Sequence, residues 1–143
     1  MAPGAWTVSV ASLFAVAVTG CTGEVAPTHA EIEAFLGIML PAEMQGFAAN
    51  AERGINTLIR ARFLLPETQA EAFVRALIGQ PLVPGHDPGI AAAGHGLPDW
   101  PEALPPGAAG AQRDDWPRGR TYRLLSVPAG PGWRRLYLIA FTV

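Results

Sequence analysis

The chain contains no lysine. Its ten basic residues are all arginine, and twelve acidic residues bring the formal charge to -2. That even balance lacks the basic excess of a nucleic-acid binder, so no nucleic acid is expected among the partners. Cysteine occurs once, at Cys21, so an intrachain disulfide is excluded. Beyond Cys21 the only serine is Ser126, and no G-x-S-x-G elbow is present, which leaves a serine triad without its usual nucleophile. No H-E-x-x-H or comparable histidine spacing occurs. No apolar stretch reaches the roughly 20 residues needed to span a bilayer as a helix. No acidic or basic side chain precedes Cys21.

What precedes Cys21 is instead short and apolar. Ala5 to Val18, "AWTVSVASLFAVAV", has the length of a signal-peptide h-region, and small residues follow it. The run closes on Val18-Thr19-Gly20-Cys21. This "VTGC" resembles the lipobox of bacterial lipoproteins: an aliphatic residue, a small residue, Gly or Ala, then Cys. The resemblance covers the first 21 residues only. It implies cleavage between Gly20 and Cys21 and a diacylglyceryl group on the Cys21 thiol, with the new amino terminus often acylated too. Two or three acyl chains anchor a protein stably where one does not, at about 0.8 kcal/mol per buried methylene. The resemblance also implies a location. Thr22, not Asp, follows the cysteine, which implies the periplasmic leaflet of an outer membrane where one exists, and otherwise the extracytoplasmic face of the cell membrane.

The expected organisation is a signal peptide over 1–20, the lipidated cysteine and a tether over 21–28, and one domain over 29–143. About 120 residues suffice for a single modest core without metals or disulfides. Thr28 stands three before Glu31, the spacing of a capping box, and Ile32, Phe35, Leu36 and Met39 follow at helical spacing, so a helix is expected from about His29 to Leu40. A strand is expected near Met44 to Asn50. A second follows a turn ending at Gly54, because Ile55, Thr57, Ile59, Ala61 and Phe63 alternate with Asn56, Leu58, Arg60, Arg62 and Leu64, the period of a strand with one better-buried face. "PETQAEAFVRALIGQP" carries an apolar helical stripe ended by Gly79 and Pro81. Residues 80–118 are rich in Pro and Gly and show no period, so they are expected as an irregular loop with its two Trp-Pro pairs packed down. "RTYRLLSVP" and "GWRRLYLIAFTV" close the chain as a hairpin around "PAGPG", and the last strand, apolar on both sides, is expected to be central. The order α-β-β-α-loop-β-β defines the fold class as α+β: an antiparallel sheet of about four strands from two hairpins, with two helices packed on it.

The candidate chemistry is sparse. His86, Asp87, His95 and Asp99 fall within one loop and are sound ligand types for a divalent metal, although their spacing matches no established motif. Arg60 and Arg62 share one side of a strand, and an open sheet face carrying them would suit an anionic group. Trp100 and Trp116, each followed by Pro, are candidates for packing or for stacking on a ligand. Asp114 and Asp115, beside Arg113, Arg118 and Arg120, read as a surface salt network, since adjacent residues point apart.

No catalytic constellation emerges, so the expected function is non-enzymatic: a membrane-anchored envelope domain that binds an envelope protein or an anionic ligand. No cofactor is expected beyond the covalent lipid. A metal-dependent envelope hydrolase using the His/Asp loop is one alternative. An accessory structural subunit of an envelope complex is the other.

Overall fold

The computed structural model describes residues 25–143. The signal segment 1–20, the cleavage position at Gly20 and the lipidation position at Cys21 lie outside the described residues.

The elements in chain order are α1 (His29–Leu36), β1 (Gln45–Arg53), β2 (Thr57–Pro66), α2 (Glu67–Leu77), β3 (Val83–Pro84), β4 (Ala109–Asp115), a 3-10 turn (Trp116–Arg118), β5 (Arg120–Pro128) and β6 (Trp133–Thr142). All six strands form one antiparallel sheet in the order β1-β2-β6-β5-β4-β3. The fold is α+β, as expected, but the sheet has six strands rather than four. The two additional strands, β3 and β4, come from the segment expected to be an irregular loop. β4, "AGAQRDD", contains no β-branched or aromatic residue. It is a strand because Ala109 to Asp115 pair in register with Ser126 to Arg120 of β5, and such pairing overrides weak propensity.

α1 begins where its cap predicts. Thr28 Oγ1 accepts from the Glu31 N–H at 3.1 Å. It ends four residues earlier than expected, because Gly37 takes the left-handed conformation (φ 75°) and its N–H donates to Glu33 O at 2.8 Å. The carbonyls left open there meet cations from elsewhere: Arg120 Nη1 donates to Phe35 O, and Arg118 Nη2 to Ala34 O at 3.3 Å. Positive charge at a helix C-terminus is favourable. α2 follows β2 without a loop, and its Ala70, Phe73, Val74 and Leu77 are buried.

Alternation assigns the two sheet faces. Ile59, Phe63 and Leu65 of β2, Tyr122 and Leu124 of β5, and Leu136 and Leu138 of β6 form the main core with Ile32 and Leu36 of α1 and Phe73 and Leu77 of α2. Each such large apolar side chain contributes about 1.5–3 kcal/mol on burial. β6 is central, between β2 and β5, as its two apolar sides imply.

The opposite face is covered by residues 85–108, a strap without regular structure after β3. Its Ile90 and Ala108 pack with Leu125, Tyr137 and Ile139 in a second apolar cluster, against which Ala93 and Trp100 lie. The sheet is therefore covered on both faces, by helices on one and by the strap on the other.

Candidate functional site

The residues singled out in the sequence mostly hold the strap. Arg60 and Arg62 do share one face, as alternation requires, and that face lies under the strap. Arg60 Nε donates to Ala93 O at 2.7 Å and its Nη1 bonds Glu52 Oε1 at 2.9 Å. Only 6% of its side chain is exposed. Arg62 Nε donates to Pro98 O at 2.7 Å and Nη1 to Gly46 O at 3.1 Å, while Nη2 lies 3.7 Å from Asp99 Oδ2. Guanidinium suits this task, since one planar fork satisfies several carbonyls of an irregular segment at once.

Trp100 is the apolar pin of the strap. Its ring meets Tyr137 edge-on at 5.2 Å, its Nε1 donates to Ile90 O at 2.7 Å, and Gly94 lies against its face. Trp116, by contrast, is 73% exposed at the β4–β5 turn.

The four loop residues proposed as metal ligands do not come together. Asp87 is spent on backbone: Oδ1 accepts from the N–H groups of Gly89 at 2.9 Å and Ile90 at 2.6 Å, and Oδ2 from Ala91 at 3.2 Å. His86 and His95 are exposed. Among the described residues no group of three or more His, Cys, Asp or Glu is placed to hold a metal ion.

A concavity lies elsewhere, at the end of the sheet where β2 runs into α2. It encloses about 510 Å³ between α2, the Gly79–Leu82 segment and the ends of β4, β5 and β6, within the usual range for a small-molecule site. Ala70, Val74, Pro81 and Leu82 give it apolar walls, and Ser126 and Arg134 belong to the sheet beneath. Alternation puts Arg134 on the helix face, opposite Leu65 of β2 and Pro128 of β5. Its Nε donates to Ser126 Oγ at 2.9 Å and its Nη2 to Ser126 O at 3.1 Å. Its Nη1 makes no hydrogen bond among the described residues. Two bonds therefore fix the guanidinium plane and leave one edge available.

Glu67, Glu71 and Arg75 of α2 also line the groove. With Arg134 they make the lining formally neutral, with the oriented cation on the sheet and the acids exposed on the helix. No imidazole lines it. Ser126 thus has no histidine base beside it in the groove. The sequence carries only a faint sign of this site: a lone serine in an apolar strand, and an Arg pair opening the next one. Nothing local indicates that Gly79–Leu82 closes the groove over them.

No protein-family model, curated protein or solved structure matches the chain. The class is therefore architectural: a six-stranded antiparallel sheet between two helices and a pinned strap, with a groove between α2, Gly79–Leu82 and the sheet end.

Proposed function

We propose that the protein is a lipid-anchored envelope lipoprotein whose domain binds, without catalysis, a small amphiphile bearing one anionic group. The anchor rests on the Val18–Cys21 motif. The binding role rests on one observation above others: Arg134, held by two bonds to Ser126, lines a groove whose walls also include Ala70, Val74, Pro81 and Leu82. A carboxylate or phosphate completes that guanidinium with a charge-assisted bond, and an apolar tail lies along Val74 and Leu82.

The test uses octanoate, octanamide and octylamine, which share a chain and differ in head group. Octanoate is expected to raise the melting temperature and to give a saturable calorimetric isotherm, while the amide and amine do neither. Arg134→Met should abolish the octanoate effect and leave the circular dichroism spectrum intact. Equal shifts with all three compounds, or none, would remove the anionic-ligand reading.

A further inference from the structure

The two ends of the sheet are chemically unlike, and the end opposite the groove carries an uncovered apolar row. The β1–β2 turn, the β4–β5 turn and the last residues of β6 all lie there, because Thr57 N donates to Thr142 Oγ1 at 2.9 Å and Arg120 pairs with Thr142. Ile55 is fully exposed in the first turn and Trp116 is 73% exposed in the second. Three strand spacings separate the turns, about 14 Å. Val143, also exposed, stands between them, its N–H donating to Gly119 O at 2.9 Å.

The point of chain entry is at the same end. Arg53, the last residue of β1, donates from Nη1 to Val25 O at 3.4 Å and pairs through Nη2 with Glu31. Val25 is itself exposed. Cys21 is four residues earlier in the chain, a reach of at most about 14 Å even when fully extended. A lipid on Cys21 therefore holds the bilayer nearer this end of the sheet than the groove end, about 30 Å away.

We propose that this end, with Ile55, Trp116 and Val25, is a membrane-docking face that rests in the interfacial layer of the bilayer. The proposal depends on the lipoprotein reading. A tryptophan suits that layer because its ring is apolar and its indole N–H remains able to bond. Charge on this end is mixed: Arg53 is paired with Glu31, and Asp114 and Asp115 adjoin Arg118. The attraction is thus apolar and interfacial, and it does not require anionic lipid. The groove then faces away from the bilayer, since the ten residues of β2 span about 30 Å between the two ends.

The experiment uses the protein as purified from membranes and reconstituted in phosphatidylcholine vesicles, with intact mass recorded first. Acylated Cys21 has no free thiol, so a single introduced cysteine takes one nitroxide label. Labels are placed through Ile55→Cys and Pro117→Cys on the docking end, and through Pro131→Cys in the β5–β6 turn at the far end. The oxygen-to-nickel-chelate collision ratio is expected to be several-fold higher at positions 55 and 117 than at 131. Adding Ile55→Ser and Trp116→Ser to the 117-labelled protein should lower its ratio to that of position 131. Equal ratios at all three positions, in a protein whose mass shows acylated Cys21, would overturn the docking face and leave the anchor standing. Labels at 55 and 117 shielded from both reagents would also overturn it, in favour of a protein covering this end. An unmodified mass would remove the anchor and the docking face together.

Discussion

At the scale of single residues, the arginines divide by what their forks reach. Arg60 and Arg62 are consumed by strap carbonyls, Arg118 and Arg120 by the end of α1, and Arg134 by Ser126 on two of its three nitrogens. Arg123 lies over Phe141, 4.9 Å from the ring centroid. A lysine offers one point charge where these sites use a planar set of donors, so Arg-to-Lys exchange at Arg60 or Arg62 is not conservative. One position with no room for a side chain is Gly94. It is buried, and any Cβ there would overlap the Trp100 side chain. Gly94→Ala is expected to displace the indole and cost about 1–3 kcal/mol, the usual range for overpacking. Urea unfolding, read beside a changed tryptophan emission maximum, checks both parts.

At the scale of elements, the strap is the least conventional part. It covers a sheet face with almost no regular structure, so its backbone groups must find partners one at a time. Asp87 supplies one set, accepting from three successive strap amides, the sheet arginines and Asn50 supply another, and the strap also bonds itself, as from Ala92 N–H to Pro101 O at 2.8 Å. Asp87→Ala removes those acceptors and is expected to cost about 1–2 kcal/mol locally. Amide exchange at Ile90 and Ala91 should then accelerate roughly tenfold, while amides in β6 keep their protection. Equal acceleration in strap and sheet would mean that the strap does not open on its own. The segment was expected to be irregular and packed, which holds for residues 85–108. It was not expected to contribute β4, whose small and polar residues carry no strand signal of their own.

At the scale of the whole molecule, the proposals assign a direction to the domain: anchor and interfacial tryptophan at one end, ligand groove at the other. The distance between them, about 30 Å, is beyond the range over which substitutions usually couple. The Ile55→Ser and Trp116→Ser pair should therefore leave the octanoate-induced rise in melting temperature unchanged. Loss of that response in the pair would show that the two ends communicate. No described helix is long and apolar enough to cross a membrane, so the proposed attachment relies on the lipid and on the docking end.

Local order determined much of this protein. The period-two pattern over residues 57–64 determined most of β2 and which of its side chains share a face, the Thr28–Glu31 spacing determined the start of α1, and the two-sided apolar run of β6 determined its central place. Each of these is a short-range pattern, in which the period of the side chains alone decides the outcome. Tertiary structure alone decided the rest. β4 exists because β5 offers it a ladder, the face bearing Arg60 and Arg62 is closed because Ala93 and Pro98, 33 and 36 positions downstream of them, supply carbonyls to it, and Arg134 lines a groove because α2 and Gly79–Leu82 meet above the sheet. In every such case the deciding partner is remote in sequence, and no local period carries information about it.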